Sequence, residues 1–254
     1  MKIFVISDIQ APMEDRKAVA AMQEAVKDYK PDMLLCVGDE ADSPEPARWN
    51  KGMAAEYAGT LQAGLDRTHE IMAGFRDAIG KKTPFIVMRS NHGDRIQKYI
   101  GKYAPALSSL EALSYERLLR YDELNIDFKH QPFEFTKGWV MGHGDEGSLI
   151  RTPGGTAMNL AKRWQRSVVC GHTHRLGLQH DHGSLNSKVT GLRFGMEVGH
   201  LMDMRKATYL NAGSANWQAG AGVLETDDAG RVFPQLVPII NGRFTLAGRV
   251  YSCR

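Results

Sequence analysis

One juxtaposition recurs along this chain and constrains it most: a short apolar run ending in a polar turn built from metal-ligand or proton-donor residues. Ile3 to Ile6 runs into Asp8-Ile9-Gln10, and Met33 to Val37 runs into Gly38-Asp39. Phe85 to Met88 leads to Ser90-Asn91-His92, a run near 138–142 to Gly142-His143-Gly144, and Val168 to Cys170 to Gly171-His172-Thr173-His174. Apolar runs of this length bounded by turn residues read as buried strands. Between the first two, Val19, Met22, Val26 and Tyr29 fall at helical spacing, which predicts a helix over 14–29 stopped by Pro31. A strand–helix–strand opening of this kind builds a parallel sheet with a right-handed crossover. In open α/β sheets, ligands gather beyond the carboxyl ends of the strands, where these turns lie.

The remaining pattern fills in that plan. Tyr57, Leu61, Leu65, Thr68, Met72, Phe75 and Ile79 form one helical stripe, read as packing and not as a cofactor site. Helices are expected near 94–101, 108–120 and from Thr156 to Trp164, with short strands near 126–129, 132–136 and 138–142. From about 176 onward, turns rich in Gly, Asn and Asp separate short strands with no helical pattern. No repeat or linker interrupts the chain. One domain over 1–254 is expected, with a helical insertion about 50–82 and a β-rich C-terminal part about 176–254.

Composition narrows the class. With 43% hydrophobic and 24% charged residues, the 254-residue chain reads as a soluble globular protein. It has no apolar run long enough to span a membrane, and Asp8 interrupts the N-terminal run too early for a signal peptide. Cys36, Cys170 and Cys253 are odd in number and far apart, so a reducing cytoplasm is expected and no disulfide framework. Cys36 and Cys170 lie inside apolar strands and read as small buried hydrophobes. A net charge of +3 is too mild to announce nucleic acid.

The turn residues carry the chemistry. Carboxylate and amide oxygens suit hard divalent cations, and imidazoles suit Zn, Fe and Mn. A mixed set of this kind is what a two-metal hydrolytic site needs: a bridging carboxylate, terminal ligands on both sides and open positions for water and substrate. Adjacent glycines permit tight turns and close backbone approach.

In order and in spacing, the five segments resemble the calcineurin-like metallophosphoesterases, whose pattern is Asp-x-His, Gly-Asp, Gly-Asn-His, Gly-His and Gly-His-x-His, each behind a strand. The resemblance implies a four-layer αββα sandwich of two mixed sheets flanked by helices, with a dinuclear site at the strand ends. It implies two divalent ions, Mn²⁺ first, with Mg²⁺, Fe²⁺, Ni²⁺ or Zn²⁺ as alternatives. Asp8, Gln10, Asp39 and His174 would hold one ion. Asp39 would bridge to a second held by Asn91, His143 and His172. His92 would give a proton to the leaving oxygen while a metal-bound hydroxide attacks phosphorus in line. The tail, including Glu197 to Leu201, Tyr209-Leu210-Asn211-Ala212-Gly213-Ser214 and Asn216-Trp217-Gln218, is similar to uncharacterised bacteriophage members of the family. Asn211 to Ser214 looks like the family's late Asn-x-Gly-Ser turn.

Two positions depart from the pattern. Gln10 replaces a histidine, which predicts weaker binding at the first site and a preference for Mn or Mg over Zn. Ser90 replaces the glycine before Asn91-His92, and Gly93 replaces the acidic residue after it, with Asp94 one position later as the candidate carboxylate.

Substrate signals are fainter. Arg89, Arg95, Arg151 and Arg175 lie near the motifs, and a guanidinium grips phosphate oxygens well; Arg95 and Arg151 are the leading candidates. Arg151 to Thr156 precedes a helix start that could bind an anion. Trp49 and Trp217 lie in loops and could stack on a base or simply pack. In His180-Asp181-His182, strand alternation sends Asp181 away from both histidines, so the trio is not read as a site. His69 reads as solvated, and His130 and His200 as loop residues.

The expected activity is hydrolysis of a phosphodiester in nucleic acid or a nucleotide, with short, single-stranded or small substrates favoured over duplex. A phosphomonoesterase or protein phosphatase is the alternative within enzymes. A non-catalytic scaffold with this fold would have lost several ligands or the proton donor, whereas here only Gln10 departs among the expected ligands.

Overall fold

The computed structural model describes residues 1–207 and 215–253. Lys2–Ile6 forms β1 and Met33–Cys36 forms β2, joined by helix α1 over Arg16–Tyr29. Asp15 caps α1 by accepting from the amides of Lys17 at 3.0 Å and Ala18 at 3.1 Å. Lys30, in the left-handed conformation before Pro31, ends it. Helix α2, Leu61–Ile79, returns the chain to β3, Phe85–Met88; then come α3, Asp94–Tyr103, the single turn α4, Tyr115–Leu118, and β4, Ile126–Lys129. Phe133–Thr136 (β5), Trp139–Met141 (β6), α5 (Gly155–Trp164) and Ser167–Cys170 (β7) follow. The C-terminal part holds β8 (Leu176–Leu185), β9 (Lys188–Val198), β10 (Gly220–Thr226), β11 (Val232–Pro238), β12 (Arg243–Leu246) and β13 (Arg249–Ser252).

These strands make two mixed sheets and a small ribbon. The first sheet has the order β11-β10-β1-β2-β3-β4, with β1 to β4 parallel and β10 antiparallel to both of its neighbours. The second has the order β5-β6-β7-β9-β8, with β6, β7 and β9 parallel. Strand alternation sorts β1 between two cores. Ile3 and Val5 face the second sheet, packing in one cluster with Leu35, Val37, Val169 and Met196, while Phe4 and Ile6 join Met22, Val26, Met72 and Phe75 under α1 and α2. Helix α5 covers β7 on the far side through Ala157, Leu160 and Val168. Helices, sheet, sheet and helix give the four αββα layers. Each large aliphatic side chain buried this way contributes about 1.5–3 kcal/mol.

Three local expectations change. Tyr57 does not extend the α2 stripe: it ends a 3₁₀ turn, Ala54–Tyr57, and is 74% exposed, because Gly59 breaks the run before Leu61. The helix expected over 108–120 is instead the 3₁₀ turn Glu111–Leu113 followed by the short α4. The strands beyond 176 are not all short, since β8 and β9 form a long antiparallel hairpin turning at Asn186-Ser187. No described helix is long and apolar enough to cross a membrane.

Candidate metal centre

Because β1, β2 and β3 run parallel in one sheet and β6, β7 and β9 run parallel in the other, the turns that follow them meet at one edge. Backbone hydrogen bonds sew them together: Asp8 N donates to Gly38 O at 3.1 Å, Gln10 N to Asp39 O at 2.9 Å and Gly171 N to His143 O at 2.8 Å. The turns are tight enough to force side-chain-bearing residues into left-handed backbone. Asp8, Gln10, Asp39, His172 and His174 all have φ between 49° and 66°. Such a conformation costs on the order of 1 kcal/mol per non-glycine residue and clusters at functional sites. Gly38, at φ +103°, leaves no room for a side chain, since a Cβ there would lie 2.7 Å from both His143 Nδ1 and Ser90 Cβ.

Asp39 sits at the middle. Its Oδ2 lies 3.4 Å from His143 Nε2, 3.3 Å from Gln10 Nε2 and 3.8 Å from His92 Nε2. On one side, His174 Nε2 is 3.1 Å from Asp8 Oδ1 and 3.4 Å from Gln10 Nε2. On the other, His143 Nε2 is 2.8 Å from Asn91 Oδ1, and the His143 and His172 rings stand 4.9 Å apart. His143 is aimed by its second nitrogen, which donates to Val37 O at 2.8 Å. Asp8 Oδ2 accepts from the His172 amide at 2.9 Å and from Ser7 Oγ. The seven residues Asp8, Gln10, Asp39, Asn91, His143, His172 and His174 are thus brought to one place.

The electrostatics favour positive charge there. Burial alone would raise both carboxyls, yet His174 holds Asp8 below its usual value, and His143 and His92 hold Asp39 well below it. Burial likewise opposes charge on His143, but Asp39 outweighs it and raises His143 to about 10. His172 goes the other way, lowered by burial and by His143 beside it. Two fully buried carboxylates ringed by imidazoles require compensating cations. Donor atoms of Asp8, Asp39 and His174 lie within 4.8 Å of one another, as do those of Asp39, His143 and His172. Two triads sharing a carboxylate fit a pair of divalent ions with Asp39 between them.

His92 stands at the rim, a few ångströms from Asp39. Its orienting carboxylate is not Asp94. Helix α3 begins at Asp94 and carries that side chain away to Arg89 and Lys98. Asp42, from the turn after β2, takes the place: its Oδ1 lies 2.9 Å from His92 Nδ1. Ser90, buried where a glycine was expected, accepts from the Gly93 amide at 3.1 Å and so braces the turn, while Gly93 packs against the Tyr115 ring.

Of the four arginines, Arg95 alone among the described residues bonds to a candidate site residue: its Nη2 is 2.8 Å from His92 Nε2 and its Nη1 donates to Asp42 O. Arg89 is clasped between Asp94 and Asp145, Arg175 donates to Ile150 O at 2.8 Å, and Arg151 is exposed in the loop before α5. The start of α5 is no anion site, because buried Glu197 already accepts from the Thr156 amide at 2.8 Å and from Thr173 Oγ1 at 2.8 Å. His69 is not solvated but half-buried, with Nδ1 2.9 Å from Leu119 O. Asp181 pairs with Lys162 and Arg193, apart from the His180–His182 ring contact. Cys36 and Cys170 are free and buried.

His200, read from the sequence as a loop residue, does lie outside the strands, but it is buried beside the candidate site. It lies two residues past β9, its ring 5.5 Å from that of His174, with Nδ1 accepting from the Met202 amide at 3.2 Å. Burial, then His174, lowers it to about 4, so it stays neutral. Trp217 lies against His174 at 4.2 Å. Tyr209, Leu210 and the Asn211 to Ser214 turn lie outside the described residues.

Residues 1–176 match the family described as calcineurin-like phosphoesterase. The chain belongs to that family. It is a hydrolase of phosphoric ester bonds, and the family works with two metal ions. The chain is 37% identical to the Gene 54 protein of Mycobacterium phage D29 and 36% identical to that of Mycobacterium phage L5, in each case over 99% of this chain and 98% of the relative. Among solved structures, zinc-complexed Vps29 of Entamoeba histolytica covers 100% of both chains at 10% identity with a TM-score of 0.49. Vps29 of Cryptosporidium parvum covers 99% of this chain and 97% of its own at 14% identity, with a TM-score of 0.48.

Proposed function

We propose that the chain is a metal-dependent phosphodiesterase acting on nucleic acid or nucleotides in the cytoplasm of a host cell. The whole of 1–254 would act as one domain. Asp8, Gln10, Asp39 and His174 would hold one ion, and Asp39, Asn91, His143 and His172 the other, with Mn²⁺ the best match to a site whose first half has an amide in place of an imidazole. When bound, the two ions would supply Lewis-acid activation of a water nucleophile and of the phosphoryl oxygens.

The protein's own groups supply the rest. His92 gives its Nε2 proton to the departing oxygen, and Asp42 orients the ring through Nδ1. Arg95, already at His92 Nε2, is placed to exchange that contact for a phosphate oxygen. Arg151, exposed in its loop, is proposed as a second, outer phosphate contact.

The observation that carries the diester reading is room. A cleft of about 430 Å³ opens beside Asn91 and is lined in part by Arg95, so a phosphate at the cluster has space there for a second esterified group. Turnover of bis(p-nitrophenyl) phosphate against p-nitrophenyl phosphate with Mn²⁺ tests it, and the diester is expected to be the faster. A faster monoester would turn the reading into a phosphomonoesterase, and no turnover with any divalent ion would turn it into a scaffold.

A further inference from the structure

The cleft beside Asn91 has a chemistry of its own. One wall is the 3₁₀ turn Arg48–Asn50 that follows the β2 loop, and the other is α3. Arg48, Arg95, Lys98 and Lys102 bring four cations to its lining, and no carboxylate lines it among the described residues. On α3, Arg95, Lys98 and Lys102 recur at intervals of three and four, which sets them along one side of the helix. The run from Asp94 to Lys102 covers about 12 Å of helix axis. Lys98 is held by Asp94 at 3.0 Å, but Arg48 and Lys102 pair with no carboxylate among the described residues.

Aromatic rings interleave with these charges. Trp49 is 59% exposed and Tyr103 is 43% exposed, although large rings are ordinarily buried. The Arg95 guanidinium lies 4.8 Å from the Trp49 ring centroid, and the Tyr99 and Tyr103 rings stand 4.8 Å apart. A cationic groove with exposed π faces tracks a phosphate backbone and stacks its bases. A peptide partner of any composition would leave the cations without matching charge unless it were acidic, and would not call for flat rings at this density.

Resting on the phosphodiesterase reading, and going beyond it, we infer that this cleft binds single-stranded nucleic acid. Bases lie against Trp49 and Tyr103. Phosphates follow Arg48, Lys98 and Lys102, and the strand is delivered to the metal-ligand cluster past Asn91 and Arg95. Duplex is excluded from this mode because its bases are already stacked and cannot reach the rings.

The test is fluorescence anisotropy of a labelled twelve-nucleotide DNA strand with the full-length chain, in EDTA so that nothing turns over. The strand is expected to bind more tightly than the same sequence as duplex. Trp49→Ala, at an exposed position that does not carry the fold, is expected to weaken it about tenfold or more. With three phosphate contacts, log K should fall with log salt at a slope of about −2, and Arg48→Ala or Lys102→Ala should each reduce that slope by about 0.7. Lys188→Ala, in the remote β8–β9 hairpin, should change nothing. The inference is overturned if the strand does not bind, if duplex binds as well, or if the Trp49 and Lys102 variants bind like the parent. Wild-type turnover of bis(p-nitrophenyl) phosphate, measured separately, isolates the other claim. Turnover without strand affinity removes the cleft and keeps the phosphodiesterase; affinity without turnover does the reverse.

Discussion

Asp42 Oδ1 and His92 Nδ1 meet at 2.9 Å across two loops that follow neighbouring parallel strands. Asp42 touches no reacting atom in the proposed chemistry and acts through His92, so it is a positioning residue. Asp42→Asn keeps the shape and removes the carboxylate contact that fixes the ring. The expected loss in kcat is on the order of 10- to 100-fold on an oligonucleotide or alkyl diester, whose leaving oxygen needs a proton. With bis(p-nitrophenyl) phosphate the loss should be small, because p-nitrophenolate leaves without one. Equal losses on both substrates would show that Asp42 merely supports the loop.

Gln10 bears on metal affinity. Its amide nitrogen is 3.3 Å from Asp39 Oδ2 and 3.4 Å from His174 Nε2, so a side chain here reaches both halves of the first triad. An imidazole at this position offers a better nitrogen donor than an amide, and Gln10→His is expected to tighten the weaker Mn²⁺ site by about tenfold. Calorimetric titration of Mn²⁺ into chelator-treated wild type and variant measures it. Superimposable isotherms would mean that Gln10 is not a ligand.

The split between what could and could not be read in the sequence follows strand and loop. The polar turns after β1, β2, β3, β6 and β7 were legible because each candidate ligand closely follows an apolar strand and inherits its direction. Asp42 was not, because its partnership depends on how the β2 loop folds over the β3 turn. Asp94 looked closer in sequence, but the first turn of α3 rotates it towards Arg89. His200 was missed for a related reason. It lies two residues past β9, which is parallel to β7, and nothing in a Gly-rich, turn-rich tail announces that parallel pairing. The strained backbone at Asp8, Asp39 and His174 leaves no compositional trace either, since none of them is glycine or asparagine.

Arg89 gives a pH-dependent test that does not involve the metal ligands. It donates to both Asp145 oxygens at 2.8 Å and through Nε to Asp94 at 3.1 Å, with all three side chains partly buried. Burial would raise the Asp94 carboxyl, but the Arg89 hydrogen bond outweighs it and the net shift is downward. A carboxyl depressed in the folded state stabilises above its unfolded value and loses that contribution as pH falls through the folded one. Arg89→Met is therefore expected to cost about 2 kcal/mol at pH 7, between the worth of exposed and buried pairs. The gap to wild type should stay flat down to pH 5 and narrow below about 4, as Asp94 protonates. Urea denaturation across that range checks it, and a gap independent of pH would show that packing and not charge is lost.

Gly171 makes the sharpest steric test of how the two sheets hold Asp8. A Cβ at this position would collide with Ser7 Oγ and Asp8 Oδ2, the oxygen that also accepts from the His172 amide at 2.9 Å. Gly171→Ala must therefore push β1's turn away from β7's turn. The expected cost is about 1–3 kcal/mol of stability, as for overpacking elsewhere. A loss of Mn²⁺ affinity should accompany it, because Asp8 leaves the position it shares with His174. Gly101, inside α3 with open space around its Cα, supplies the contrast. Gly101→Ala should raise stability by about 1 kcal/mol through helix propensity alone and leave Mn²⁺ affinity unchanged. Thermal unfolding with and without Mn²⁺ separates the two effects, and a Gly171→Ala variant with wild-type metal response would show that Asp8 is not fixed by this contact.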